Sequence, residues 1–136
     1  MSSERDAAPA FPIRFADILF AAGVLDPNGG NPKERRVVVL TPDAALAAGF
    51  PIVAVAVTGT IPATLPADYV LLPYKNPPGT RHPKTGTTKK AAVVCSWLVT
   101  IEQGKVTGRS GFVPPIPMAV VNAKTAARVM ALGGWA

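Results

Sequence analysis

Residues 37–40 (Val-Val-Val-Leu) form an uninterrupted apolar run set directly against the charged cluster Lys33-Glu34-Arg35-Arg36. The run is β-branched or bulky and has no polar alternation, which is the pattern of a strand buried in a covered or closed sheet. Thr41-Pro42-Asp43 ends it with a helix-start signal. Thr41 can cap, and Pro42 suits the first helical position, where its missing N–H costs nothing. A short helix is predicted over 41–48, stopped by Gly49. Residues 50–58 alternate small and β-branched side chains and predict another core strand, ending at Thr58-Gly59-Thr60. Upstream, 11–22 predicts a first strand beginning after Pro12, with an imperfect division of faces. Residues 25–33 (Leu-Asp-Pro-Asn-Gly-Gly-Asn-Pro-Lys) are dense in turn formers and predict a loop.

Beyond Thr60 the pattern is more broken. Residues 61–67 hold two prolines and no strict period, which predicts a linker or edge segment. Residues 68–74 predict a strand, at an edge because of Pro73. Residues 75–88 make the longest irregular stretch, and loops of that length are usually functional or disordered. A strand is predicted over 89–96, and 97–102 either continues the sheet or forms a turn of helix. A tight turn at 103–105 leads to a short return from Val106, then a Gly/Pro-rich loop over 109–117. Asn122 can cap a final helix, 123–132, that Gly133-Gly134 ends. Val121, Thr125, Val129 and Leu132 give it an apolar stripe of helical period. The prediction is a mainly β fold with short helices, a small barrel-like sheet with helices at its ends.

Composition narrows the class. A chain of 136 residues, 49% hydrophobic and 16% charged, fits one globular domain, expected over 11–136 behind a polar tail at 1–10. Fifteen prolines and 12 glycines imply short strands and argue against long helices. No apolar run approaches the roughly 18 residues needed to span a bilayer, and the N-terminus lacks the basic-then-apolar order of a signal peptide. A cytoplasmic protein with no membrane contact is expected. One cysteine, Cys95, and one histidine, His82, rule out an internal disulfide and argue against a Cys/His zinc site, and no cofactor is expected. Cys95 reads as a small buried hydrophobe.

The net charge is +6, and its distribution is uneven. Between Asp68 and Glu102 there is no acidic residue, while Lys75, Arg81, Lys84, Lys89 and Lys90 all fall in that interval. A basic stretch in a long loop fits a phosphate-bearing partner, or equally a solvated surface. The chain has no phosphate-binding glycine loop, no nucleophile elbow and no metal-ligand spacing. A serine–histidine–aspartate triad would need His82 fixed by packing, and His82 lies in a proline-flanked loop. What remains is Arg35 and Arg36 before one core strand, with Thr58 and Thr60 after another. If the two strands are antiparallel neighbours, the start of one lies beside the end of the other. A guanidinium and a hydroxyl facing one groove can stabilise a pentacovalent phosphoryl transition state. The alternative is that the arginines are solvated strand-end charges and the threonines express ordinary β-propensity.

The sequence resembles the MazF/PemK toxins, the endoribonucleases of toxin–antitoxin systems. The resemblance is carried by Asp26-Pro27, the turn-rich loop to Lys33, Arg35, the strand at 37–40, Thr41-Pro42-Asp43, and the apolar strand over 52–58 ending in Thr58. It runs well from Asp17 to Thr58 and in similar order through 95–132. It implies a small SH3-like or CcdB-like β-barrel with a C-terminal helix. It also implies a homodimer that cleaves single-stranded RNA at short sequences without metal. Arg35 falls on the family's catalytic arginine and Thr58 on its catalytic hydroxyl residue. Arg35 would stabilise the phosphate and take part in proton transfer. Thr58 would hold the scissile phosphate while the 2′-oxygen attacks to give a cyclic phosphate.

Arg36, Thr60, Lys75, Arg81, Lys84, Lys89 and Lys90 are the expected substrate-binding residues. A cognate antitoxin with an acidic tail is the implied protein partner. Arg36 stands where the family usually has proline, Ser96-Trp97 where it often has Asp-Gln, and the 75–88 loop is longer than its counterpart. A non-catalytic member of the same fold that binds nucleic acid or protein is the alternative those departures leave. Trp97 and Trp135 read as core or interface anchors.

Overall fold

The computed structural model describes residues 11–74 and 81–131. Among them are six strands: β1 Asp17–Val24, β2 Lys33–Val39, β3 Ile52–Thr58, β4 Tyr69–Leu71, β5 Ala92–Ile101 and β6 Val106–Phe112. Two α-helices, α1 Asp43–Ala47 and α2 Pro115–Ala131, complete the pattern, with a 3-10 turn at Gln103–Lys105 before β6. The strands are antiparallel and form one sheet in the order β4-β5-β3-β2-β1-β6. No helix among the described residues is long and apolar enough to cross a membrane.

Both faces of the sheet are covered. On one face Ile18, Val38, Leu40, Val55 and Val93 pack with Met118, Val121 and Val129 of α2. On the other, Leu19, Ala21, Val37, Val39, Ile52 and Ala54 pack with Leu46 of α1. This double burial is why Val37–Val39 carry no polar alternation: each residue of the run faces a core, and all three are fully buried. Cys95 belongs to the first core, as its apolar context implies, and burial pushes its thiol pKa up.

The mainly β reading holds, with one correction to the barrel: the sheet itself is open. Its order ends at β4 and β6, and β4, with three residues, is too short to close against β6 along its length. Residues of the expected basic loop join the two edges instead. The hydroxyls of Thr85 and Thr87 both donate to the carbonyl of Pro73, just past β4, at 2.8 and 3.1 Å. On the other side the Phe112 N–H donates to the Lys84 carbonyl at 2.9 Å, and the Ser110 hydroxyl donates to the Thr85 carbonyl at 2.7 Å. His82 Nδ1 shapes the turn by accepting the N–H groups of Lys84 and Thr85. The bridge blunts both edges, which would otherwise present unpaired backbone groups.

Other boundaries also move. β1 begins at Asp17, after Ala16 takes a positive φ of 72°, so the expected strand start near Pro12 is instead irregular backbone. Pro42, not Thr41, caps α1; Thr41 is buried and its hydroxyl accepts the Val53 N–H at 2.8 Å. Gly49 does end that helix, at a φ of 86°. Trp97 to Ile101 continue β5 rather than forming a helical turn.

The expected loop over 109–117 is half strand, since β6 runs to Phe112, and half helix, since α2 starts at Pro115. Two prolines in its first turn lose nothing, because the first N–H groups of a helix have no partner inside it. Asn122 therefore lies mid-helix. Of the predicted stripe, Val121, Thr125 and Val129 are buried, Leu132 lies outside the described residues, and Met118 extends the stripe back toward the start.

Candidate active site

The β2–β3 ladder positions the two residue types singled out from the sequence. Val37 pairs with Ala56, Val38 with Val55 and Val39 with Ala54. Carried two residues further, this register sets Arg35 against Thr58. The ladder stops at Val37 and Ala56; beyond it Arg35 pairs with Ala21 of β1, and Thr58 with Ala92 of β5. The two strands thus part at this end, and Arg35 and Thr58 flank the parting. They also share a face. Val37 and Val39 lie in the core beneath α1, as does Ala54, and alternation along each strand brings Arg35 and Thr58 to that same side. Both are half-buried.

Arg35 is held from three directions. Its Nε donates to the Val24 carbonyl and its Nη2 to the Asn31 carbonyl, each at 2.9 Å. Its guanidinium carbon stands 5.0 Å from the centroid of the Trp97 ring. Nη1 makes no hydrogen bond among the described residues. The loop that supplies these carbonyls is organised by Asp26. That carboxylate accepts the N–H groups of Asn28 and Gly30 at 2.9 Å and the Asn31 side-chain amide at 2.7 Å. The Gly30 N–H first, then the Asn31 amide, holds the Asp26 carboxyl below its ordinary pKa, with smaller help from Asn28 and the Arg35 charge. At the other strand the Thr58 hydroxyl accepts the Thr60 N–H at 3.1 Å, so its own proton remains available to donate.

The other expected site residues divide into groups. Thr60 and Lys90 are exposed and follow the Thr58–Ala92 pair outward in the β3–β5 register, so they flank the same mouth, with Lys89 beside them. Arg36 lies on the opposite face from Arg35, on the side of Val38, and its cross-strand neighbour is Phe20. It is half-buried, burial lowers its pKa, and it has no hydrogen-bond or ion-pair partner among the described residues.

Arg81 and Lys84 sit instead in the edge bridge: Arg81 Nη2 reaches the Ser110 carbonyl at 3.4 Å, and the Lys84 carbonyl holds Phe112. Phe112 pairs with Asp17 at the start of β1, four residues and about 13 Å along that strand from Ala21, the partner of Arg35. Those two cations therefore belong to the bridge between β4 and β6 and not to the parting of β2 and β3. Lys75 and Trp135 lie outside the described residues.

Trp97 was not among the expected site residues, and its contact with Arg35 comes from an irregularity in β5. Val93 pairs with Val57 and Leu98 with Val55, so residues 94–97 of β5 stand against Ala56 alone. That expansion carries Trp97 to the Arg35 side, where its Nε1 donates to the Leu25 carbonyl at 3.0 Å. Leu25 follows β1, and β1 is three strands from β5, so the bond spans a strongly curled sheet. Beside it opens a cleft of about 540 Å³, lined by Leu25, Asp26, Pro27, Trp97, Thr100 and Lys105 among others.

Known structures share this fold. MazF from Deinococcus radiodurans superposes with a TM-score of 0.66 over 88% of this chain and 98% of its own, at 15% identity. The chain has the MazF fold. The Mycobacterium tuberculosis toxin MazF-mt6 gives a TM-score of 0.59 at 17% identity, covering 87% of this chain and 97% of the other. A mycobacterial endoribonuclease in complex with its cognate antitoxin gives 0.57 at 16% identity, covering 89% and 95%. Comparison of the sequence with family models and with curated proteins gives no significant match. Identities this low relate the chains by fold; residue roles must come from the geometry.

Proposed function

We propose that this protein is a toxin-type endoribonuclease that cleaves single-stranded RNA at short sequences without a metal ion. The observation that carries the reading is the common face and common register position of Arg35 and Thr58 at the parted end of β2 and β3. In the proposed reaction the RNA's own 2′-oxygen attacks the adjacent phosphorus. The bond to the 5′-oxygen breaks, leaving a 2′,3′-cyclic phosphate on one product and a 5′-hydroxyl on the other. The 2′-hydroxyl proton is lost as the new bond forms, and the departing 5′-oxygen takes one up.

Arg35 Nη1 is the donor available to the non-bridging oxygens, and a guanidinium there offsets the charge that builds on phosphorus. The Thr58 hydroxyl donates to the same phosphate and orients it for in-line attack. Lys89 and Lys90 bind the flanking backbone and Thr60 the strand near Thr58, while Arg36 contacts phosphate from the other side of the mouth. The protein acts as a homodimer; exposed Phe15, Phe112 and Ile116 supply apolar surface for a second copy. A cognate antitoxin partner is supported by the antitoxin-bound mycobacterial endoribonuclease of the same fold.

The test is cleavage of a mixed-sequence RNA in excess chelator, with product ends mapped. Arg35→Ala is expected to lower the rate on the order of a hundredfold or more, since loss of one transition-state donor costs about that. Thr58→Ala should be impaired and Thr58→Ser largely restored. Cleavage undiminished in Arg35→Ala removes the proposed role. RNA bound by wild-type protein but left intact favours a non-catalytic binding module.

A further inference from the structure

We propose that Trp97 is the positioning residue for Arg35: it fixes the plane of the guanidinium so that Nη1, which makes no hydrogen bond among the described residues, is presented to the phosphate. This rests on Arg35 being the catalytic arginine proposed above. Two of the three guanidinium nitrogens are committed to carbonyls, Nε to Val24 and Nη2 to Asn31. Those two bonds hold the guanidinium by two of its nitrogens. They leave the group free to rock about the line joining the two carbonyls. A ring 5.0 Å from the guanidinium carbon removes that freedom, because the cation is drawn to the electron-rich face of the indole.

The indole is itself anchored. Its N–H donates to the carbonyl of Leu25, the residue after Val24, which accepts the Arg35 Nε–H. Arginine and tryptophan thus read adjacent carbonyls of one backbone segment, and each limits the movement of the other. Asp26 ties the far end of that segment to Asn31. The β5 expansion at 94–97 interrupts the β3–β5 pairing and brings Trp97 to this contact. Trp97 touches no reacting atom in this scheme. It acts through Arg35, and a misplacement of about 1 Å in such a group can cost on the order of a hundredfold in rate.

The test compares Trp97→Leu, which removes both the ring and the indole N–H, with Trp97→Phe, which keeps a ring and loses only the bond to Leu25. Trp97→Leu is expected to lower kcat ten- to a hundredfold with KM changed less than about threefold, and Trp97→Phe to recover most of kcat. Thr41→Val, destabilised at a remote buried site, serves as the control and keeps kcat. A second readout needs no activity. The Arg35 Nε–H resonance should be ring-shifted and slow to exchange with water in wild-type protein and in Trp97→Phe. In Trp97→Leu it should move to the ordinary arginine position and exchange at least tenfold faster.

Should Trp97→Leu not fold, Trp97→Met keeps side-chain bulk without a ring and carries the same expectation. Unchanged Arg35 exchange in the ring-deleted variant overturns the proposal. So does a kcat that falls no further than in Thr41→Val. If wild-type protein cuts no RNA, the catalytic reading fails by itself, and the exchange measurement still decides whether Trp97 clamps Arg35.

Discussion

Gly111 and Lys84 approach so closely that no side chain can stand between them: a Cβ on Gly111 would lie 2.1 Å from the Lys84 carbonyl oxygen. That approach is where the edge bridge seats on β6, beside the Phe112–Lys84 hydrogen bond. Gly111→Ala must push the bridge away, and overpacking of this kind costs about 1–3 kcal/mol. Gly108, on the same strand, is the internal control. A Cβ there meets only a Phe20 ring carbon at 3.5 Å, an ordinary separation. Gly108→Ala should be neutral or slightly stabilising, because alanine loses less backbone entropy in a strand. Urea unfolding midpoints of the two variants check the contrast, and equal midpoints would show that the bridge carries no stability.

Thr41 replaces a missing strand residue with a side chain. Its hydroxyl accepts the Val53 N–H where β2 has already ended, so the β3 backbone group is satisfied without a ladder partner. Thr41→Val keeps the shape and strands that donor in a fully buried site, at a cost of about 1–3 kcal/mol. Thr41→Ser should retain most of the stability. Equilibrium unfolding of both variants measures the difference, and hydrogen exchange at Val53 should quicken in Thr41→Val alone.

Asp26 supplies a pH dependence with a definite sign. Its carboxyl is held below the ordinary value of 3.8 by the Gly30 N–H, then by the Asn31 amide. A folded pKa below the unfolded one contributes stability that is fully present above 3.8 and is lost as pH falls through the lower folded value. The stability gap between wild type and Asp26→Asn should therefore be flat from neutral pH down to about pH 5 and shrink as the pH falls below the ordinary carboxylate range. Denaturant titrations of both proteins across that range check it. A gap that widens on acidification would reverse the assignment.

Arg36 separates folding from binding. Half-buried and without an ion-pair partner among the described residues, it carries a desolvation cost that no protein carboxylate offsets. Arg36→Met keeps the long apolar stem, and its stability should stay within about 1 kcal/mol of wild type. RNA affinity should nevertheless fall. The salt dependence of binding to single-stranded RNA should become shallower by roughly 0.7 in log–log slope, as it does when one fewer phosphate is neutralised. An unchanged affinity and slope would leave Arg36 as a strand-end charge with no role in binding.

The sequence by itself determined the elements whose local chemistry and burial agree. Val37–Val39 are apolar on both faces and could only be an inner strand; Gly49 could stop a helix at positive φ; Val121, Thr125 and Val129 marked the buried stripe of a helix. Strand ends and residue types, which are local properties, also singled out Arg35, Arg36, Thr58 and Thr60, and the resemblance to the MazF/PemK toxins narrowed these to Arg35 and Thr58 as the pair to test. What it could not contain are relationships among residues far apart in the chain. Thr85 and Thr87 look like loop polarity until Pro73 stands opposite them, and Gly111 looks like a strand breaker until Lys84 is seen against it. Pro115 and Pro117 concealed a helix start, since prolines read as breaks wherever the position within the first turn is unknown. Trp97 is the sharpest case. Nothing in Ser96-Trp97-Leu98 announces that four β5 residues face one of β3, and that register alone decides that the indole meets Arg35. Register depends on how three strands pair at once, and only the folded sheet settles it.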